Sequence, residues 1–143
     1  LLEYRMTSQL NVDTIVDKAG SGGTNVKIGN TSTYVSDSGN VTQNTVQGLA
    51  KAWSHLDVSS GTPSAADSFN IASLTDNATG NTTNTFTNAM NNDNYSVPSS
   101  CSAFHYSSVE TYATTGYRHR TANTSASQTD RDQTVSAAFG DLA

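Results

Sequence analysis

Residues 68–90 read SFNIASLTDNATGNTTNTFTNAM, and the rest of the chain has to fit the structure that this stretch predicts. Apolar and polar residues alternate in SFNI and again in TNTFT, which is the two-residue period of a β-strand. Between the two runs lies TDNATGN, a cluster of turn-forming residues. The pattern predicts a strand near 68–75, a turn at 76–80 and a strand near 81–88. Because the side chains are small and polar, we expect little of this hairpin to be buried.

Three small polar residue types dominate the 143-residue chain. Thr, Ser and Asn number 21, 20 and 14, whereas Leu, Ile, Val and Phe together number only 24. That apolar share lies below the threshold of roughly 20% under which a chain is often disordered. Disorder also requires a high net charge, however. The formal net charge is −5, so a folded, Thr-rich β-protein is the better interpretation. With so few large apolar residues, the chain is expected to share its core with copies of itself as an obligate oligomer.

Composition also argues against several partners. Cys101 is the one cysteine, so no intrachain disulfide is possible. No run of about 18 apolar residues occurs, so no membrane insertion is expected. The first residues, LLEYRMTSQ, lack the basic and apolar regions of a secretory signal. The mild acidity argues against nucleic acid as a partner, because phosphate binding needs clustered Lys and Arg.

The chain divides into three predicted segments. Residues 1–9 are either a short N-terminal arm or upstream sequence before a start at Met6. Residues 10–48 contain short β-like runs separated by Gly, Ser and Asn, which indicates an extended attachment or stalk segment. The runs are LNVDTIV, NVKI, TYV and VTQNTV. Residues 49–143 are predicted to form a distal domain. Strand signals recur there at a spacing of about ten residues, which is typical of an antiparallel β-sandwich.

Residues 49–56, LAKAWSHL, fit two local structures. Leu49, Trp53 and Leu56 would share one face of a helical turn, but KAWSHLDV also alternates, so we favour a strand that contains Trp53. Another strand is predicted from about residue 94 to 107, bounded or interrupted by Pro98. VETYATTGYRHRTAN predicts one or two more strands, and the terminal TVSAAFGDL places Val135, Ala137 and Phe139 on one face.

Several segments taken together resemble a known family. They are LNVDTIVDKAGSGGTNVKIGNTSTYVS, TVQGLAKAW, DSFNIASLTDNATGN, FTNAMNNDNYSV and the terminal VSAAFGDLA. As a set they resemble small tail-fibre-like virion proteins of marine bacteriophages. The resemblance covers most of residues 10–95 and the last nine, and it carries no catalytic motif. It implies a β-rich homotrimeric fibre or fibre tip, joined to other phage structural proteins through its N-terminal arm.

This chain departs from that family at several positions of the hairpin. The family usually has Gly near Ala78, Asp near Asn81 and an apolar alternating run where this chain has TTNTF, and it often has Pro near Asn91. The hairpin is therefore more polar than the family pattern. Residues 96–132 lie outside the resemblance and are expected to form the variable surface that contacts the host.

The candidate receptor-binding residues lie in this variable region. Aromatic rings stack on sugar faces, and Arg side chains engage carboxylates or phosphates through a planar fork. A host-surface glycan with negative charge, or a host protein, is therefore the expected partner. The alternative is that Arg118 and Arg120 form ordinary surface ion pairs with Asp130 and Asp132, which contribute little to stability. The candidate residues are Tyr106, Tyr112, Tyr117, Arg118, His119 and Arg120.

Other sequence features do not indicate catalysis or a cofactor. KAGSGG at 18–23 lacks the Lys-Ser/Thr pair of a phosphate-binding loop. His55, His105 and His119 lie 50 and 14 residues apart, so no close pair predicts a metal chelate. Nothing in the sequence marks Glu110 and either Asp130 or Asp132 as the two carboxylates of a glycosidase. The sequence therefore predicts a protein without catalytic residues, metal or cofactor.

The resemblance to tail-fibre-like proteins implies a structural virion protein located on the tail or the capsid surface. The first interpretation is a phage tail fibre or fibre tip that adheres to the host cell surface as a homotrimer. The alternative is a capsid decoration or cement protein with the same β-rich build. A tail enzyme that degrades host glycan is the third interpretation.

Overall fold

Every regular element in the described part of the chain is a β-strand. The structure is a computed structural model that describes residues 33–35 and 42–143. Strands β1 (Thr33–Val35) and β2 (Thr42–Asn44) pair antiparallel, so the predicted β-like runs TYV and VTQNTV both contain strands. The remainder of the predicted segment 10–48, and residues 1–9, lie outside the described residues.

Eight further strands form two antiparallel sheets of four. Sheet I has the order β4-β3-β10-β7 and sheet II has the order β5-β6-β9-β8. The two central strands of each sheet carry most of the buried side chains, and Tyr117 in sheet II contacts Ser136 in sheet I. The predicted all-β antiparallel fold is confirmed, and the packing of the two sheets is that of a β-sandwich. The strands are β3 (Ala50–Asp57), β4 (Ser64–Phe69), β5 (Ile71–Ala78), β6 (Asn81–Phe86), β7 (Ser99–Cys101), β8 (Tyr106–Ala113), β9 (Gly116–Ala122) and β10 (Thr134–Phe139).

The hairpin at residues 68–90 contains part of three strands rather than two. The predicted strand near 68–75 spans the end of β4 and the start of β5, because Asn70, with φ of 59°, takes the chain from sheet I to sheet II. The turn that follows β5 is Thr79–Gly80, at the end of the predicted 76–80. β6 lies between β5 and β9, so its Thr82, Asn84 and Phe86 are buried. The expectation that little of this stretch is buried is therefore wrong for β6, because burial depends on the position of a strand in the sheet.

The strand at Trp53 is confirmed as part of β3, and so is the shared face of Val135, Ala137 and Phe139, whereas the predicted strand from 94 to 107 needs correction. Val135, Ala137 and Phe139 share a face of β10, but the buried face of that strand carries Thr134, Ser136 and Ala138. Alternation shows which residues share a face and does not show which face is covered. The predicted strand from 94 to 107 is also interrupted more than expected, since β7 has three residues and a loop at 102–105 separates it from β8.

The sandwich has two ends with different contents. The proximal end, as we call it, is where β3 begins, and residues 140–143 lie there too: Met90 bridges Leu142, and Met90 N donates to Thr114 O at 2.8 Å. The opposite end, which we call the loop end, consists of the loops 58–63, 79–80, 102–105 and 123–133. The last of these loops contacts the other three or their flanking residues, through Val58 N to Arg131 O, Gly80 N to Asp130 Oδ1 and Ser102 N to Gln133 O.

Candidate functional site

Two of the six predicted receptor-binding residues point into the sandwich. Tyr117 is 1% exposed and His119 is 2% exposed, so neither lies on a surface that a receptor can contact. Both lie on β9, whose alternate residues face opposite sides of sheet II. The run YRHRT carried this signal, because Tyr117, His119 and Thr121 alternate with Arg118 and Arg120. The prediction placed all neighbouring residues on one surface, and that part of it is wrong.

Tyr117 connects the two sheets through its hydroxyl group. Tyr117 Oη lies 2.6 Å from Ser136 Oγ and 3.4 Å from Ser54 Oγ, and the two serine hydroxyls lie 3.0 Å apart. Burial raises the pKa of the Tyr117 phenol above its ordinary value. The phenol is therefore a neutral hydrogen-bonding group of the interior.

The buried His119 and the half-buried Ser107 form a pair that resembles a base and its nucleophile. His119 Nε2 lies 2.6 Å from Ser107 Oγ, and Ser107 Oγ donates to Ser99 Oγ at 2.9 Å. A hydroxyl has one proton, so neutral His119 donates its Nε2–H to Ser107 and does not accept from it. Burial also lowers the pKa of His119 to about 4, which makes the imidazole a weak proton acceptor near neutral pH. The arrangement suits a structural connection between β7, β8 and β9.

The outer face of sheet II carries the two Arg side chains, and they differ in their partners. Arg118 Nη1 lies 3.6 Å from Glu110 Oε2, and Glu110 occupies the irregularity in β8 between Val109 and Thr111. Asn81 Nδ2 donates to the same carboxylate oxygen at 3.1 Å. The charge of Arg118 is thus paired locally.

The Arg–Asp pairs considered from the sequence do not form. Asp130 accepts from the backbone N–H of Gly80, and Asp132 accepts from Ser102 Oγ, both at 2.5 Å. These two carboxylates hold loops together at the loop end. Among the described residues, Arg118 and Glu110 form the only ion pair.

Arg120 and Tyr106 line a cleft of about 220 Å³ at the loop end of sheet II. Gln128 positions the guanidinium. With the side-chain amide in the orientation that satisfies its neighbours, Gln128 Nε2 donates to Thr79 O at 3.3 Å and Gln128 Oε1 accepts from Arg120 Nε at 2.9 Å. No carboxylate of a described residue lies within ion-pair distance of Arg120. The Tyr106 side chain is 62% exposed beside it. The full lining is Tyr106, Ser108, Arg120, Ala122 and Ala126.

Tyr112 lies apart from this cleft. It is six residues further along β8, roughly 20 Å away at strand spacing, near the proximal end. Its ring packs edge-on against Tyr95, with the ring centroids 5.2 Å apart. Of the predicted residues, the structure therefore brings Tyr106 and Arg120 together and leaves Arg118 and Tyr112 at other positions.

The sequence prediction missed the small residues and the exposed ring near the cleft. Ala122 and Ala126 leave room beside Arg120, and Phe104, in the loop before Tyr106, is 92% exposed. Phe104 lies two residues before Tyr106 in the run FHY, which is a visible signal. Ala122 lies on β9 two residues after Arg120, whereas the position of Ala126 depends on the conformation of the 123–133 loop and leaves no signal in the sequence.

Comparisons add no assignment to this geometry. Comparing the chain with protein-family profiles, with curated proteins and with solved structures gives no match. Within residues 33–35 and 42–143, no three His, Cys, Asp or Glu side chains are grouped so that they could hold a metal ion. The same residues contain no helix that is long and apolar enough to cross a bilayer.

Proposed function

We propose that this chain is a structural virion protein, a phage tail fibre or fibre tip that adheres to the host cell surface with its loop end outward. The supporting observation is that the two ends of the sandwich carry different parts of the chain. The chain enters β3 at the proximal end, where the C-terminal residues also lie, and four loops gather at the opposite end. A segment that precedes β3 and attaches to the particle would therefore present the loop end to the host.

The loop end has the properties of a variable binding surface. Loops on a rigid scaffold tolerate sequence change and carry most binding residues. Here two links of the loop 123–133, from Val58 N–H to Arg131 O and from Ser102 N–H to Gln133 O, join backbone groups only, so they do not depend on which side chains are present. This arrangement suits a protein whose host contacts vary between relatives.

We also propose that the protein acts as a homotrimer in which neighbouring copies cover the outer face of sheet I. The described residues leave ten large apolar side chains exposed, which equals the number of buried apolar residues in the core. Trp53 lies between Phe69 and Ala137 in the strand register, and Val135 is exposed on the same face. Covering this apolar row would supply the burial that the small core lacks.

The test locates the chain in phage particles and measures its assembly. Electron microscopy of particles that carry a gold-labelled tag on this chain should show label at fibre ends. Label at capsid lattice points would instead support the decoration protein. Sedimentation of the purified full chain should give three times the 15.0 kDa chain mass. A stable 15.0 kDa species at high dilution would contradict the trimer.

Adhesion and catalysis are separated by a second measurement. Purified protein in excess should reduce adsorption of the phage to its host, because it competes for the receptor. Host envelope polysaccharide incubated with the protein should keep its chain length. Shortening of the polysaccharide would support the glycan-degrading enzyme instead.

A further inference from the structure

We infer that the cleft between Tyr106 and Arg120 binds an acidic saccharide unit of a surface polysaccharide, with Arg120 on the anionic group and the Tyr106 ring against the carbon face of the sugar. This inference rests on the proposed function and names the ligand class of its adhesive surface. It concerns one cleft, lined by five residues at the loop end.

The charge distribution on the outer face of sheet II singles out Arg120. Arg118 is paired with Glu110, so the two together carry no net charge. The Gln128 amide occupies Arg120 Nε, and among the described residues the structure contains no hydrogen bond from the two terminal nitrogens of this guanidinium. A guanidinium held at Nε presents two parallel N–H donors, which match the oxygens of a carboxylate or sulfate.

The shape of the cleft suits one unit of a longer chain. Its volume of about 220 Å³ is less than the roughly 300–1,000 Å³ of pockets that enclose a drug-sized ligand. Ala122 and Ala126 form a low wall, and the exposed Tyr106 ring offers an apolar face with a polar end. A sugar ring has hydroxyl groups around its rim and C–H groups on its faces, so it complements a Tyr ring beside polar groups such as Ser108.

The loops beside the cleft hold two alanines in a conformation that alanine disfavours. Ala126 has φ of 62° and Ala103 has φ of 61°, in the left-handed region that costs about 1–2 kcal/mol for a residue with a Cβ. Asn123 stabilises the first of these loops, since its Oδ1 accepts from the backbone N–H of Ser125 and of Ser127, both at 3.0 Å. Residues in such conformations cluster at binding sites, where the surrounding structure maintains them.

Calorimetric titration of the purified full chain with three probes tests the inference. The probes are trigalacturonate, a sulfated dextran oligosaccharide and neutral maltotriose. We expect binding of at least one anionic probe, weaker at high salt, and no comparable binding of maltotriose. Tighter binding of trigalacturonate would identify a carboxylate ligand, and tighter binding of sulfated dextran would identify a sulfate ligand.

Matched variants assign the binding to this cleft. Arg120→Gln should weaken binding of the anionic probe about tenfold or more, because it removes a charged hydrogen-bonding group. Arg120→Lys should restore part of the affinity, since it returns the charge without the fork. Tyr106→Ala should weaken binding as well. Arg118→Gln is the control on the same face, and we expect less than about a twofold change because Glu110 already pairs with Arg118.

Three results with the saccharide probes would overturn the inference, provided that the variants keep the melting temperature of the parent chain. They are equal binding of maltotriose and the anionic probes, no binding of either anionic probe at millimolar concentration, and equal losses in the Arg118 and Arg120 variants. Tighter binding of an oligothymidylate than of both saccharides would also overturn it, in favour of a nucleic acid. Fibre-end labelling together with undiminished adsorption blocking by Arg120→Gln would retain the proposed function and reject the cleft.

Discussion

The two halves of the sandwich interior differ in chemistry. The half near the proximal end contains the apolar cluster, in which the Phe86 ring lies 5.8 Å from Tyr95 and 5.7 Å from Tyr117 between ring centroids. The half near the loop end buries His119, Thr121 and Thr134, with Leu56 and Val58 as large apolar side chains. The apolar cluster consists of Ala52, Phe86, Met90, Tyr95, Val97, Tyr117 and Ala138.

This difference indicates that the two halves are stabilised by different interactions. Close packing of aromatic rings makes the proximal half costly to change, because lost volume leaves a cavity. Hydrogen bonds hold the loop half, for example from Thr121 Oγ1 to Thr129 O at 2.6 Å. Each such bond contributes about 0.5–1.5 kcal/mol to stability. Single substitutions in the loop half should therefore lower the free energy of unfolding less than those in the proximal half, unless they leave a buried charge unpaired or cause a backbone clash.

The largest effect is expected from Phe86→Ala, which removes the ring between Tyr95 and Tyr117. We expect a loss of about 3–5 kcal/mol in the free energy of unfolding, measured by chemical denaturation. Phe104→Ala is the control, since this exposed ring should contribute within about 0.5 kcal/mol. Equal losses in the two variants would contradict the assignment of the stabilising cluster to the proximal half.

Acid should destabilise the loop half through His119. Its pKa is about 4 in the folded chain and near 6.5 when unfolded, so the folded state favours the neutral imidazole. The stabilisation is therefore complete above pH 6.5 and is lost as the pH falls toward 4, by about 3 kcal/mol. Denaturation curves from pH 7 to pH 4 should show this decline, and His119→Gln should flatten it. An unchanged slope in the variant would mean that another group titrates.

Gly80→Ala should disturb the loop half through the backbone. Gly80 has φ of 67°, and an added Cβ would lie 2.5 Å from Thr121 O and 2.6 Å from Thr129 N. We expect a loss of about 2–3 kcal/mol, from the left-handed conformation and the clash together. Gly61→Ala is the matched control, because Gly61 has φ of 74° but nothing lies within 4 Å of the added Cβ. Its loss should be about 1 kcal/mol, and thermal unfolding of both variants separates the clash from the conformational term.

The smallest effect is expected from Tyr117→Phe, which lies where the two halves meet. The change removes the hydroxyl near Ser136 and Ser54 and keeps the ring in the apolar cluster. The two serines still bond each other, so we expect a loss of about 1 kcal/mol in denaturant unfolding. A loss as large as that of Phe86→Ala would show that the hydroxyl network, and not the ring packing, stabilises the middle of the sandwich.

The local character of the chain followed from the sequence. Alternating Thr-rich runs separated by Gly, Asn and Ser predict short antiparallel strands, because β-branched side chains fit a pleated sheet. These signals predict the all-β fold and the strand that contains Trp53, and the structure confirms both. Such signals are local, since they depend on which residues neighbour each other along the chain.

The tertiary structure alone determined which of those residues are buried and which meet. β6 is more polar than β5, yet it lies at the centre of its sheet and is buried, while β5 lies at the edge and is mostly exposed. Arg118 and Arg120 look alike in sequence, but their surroundings differ. The irregularity in β8 places Glu110 beside Arg118, whereas Arg120 lies in a cleft next to the 123–133 loop. Strand order and loop contacts join residues far apart in the chain, and for that reason no local pattern of side chains could specify them.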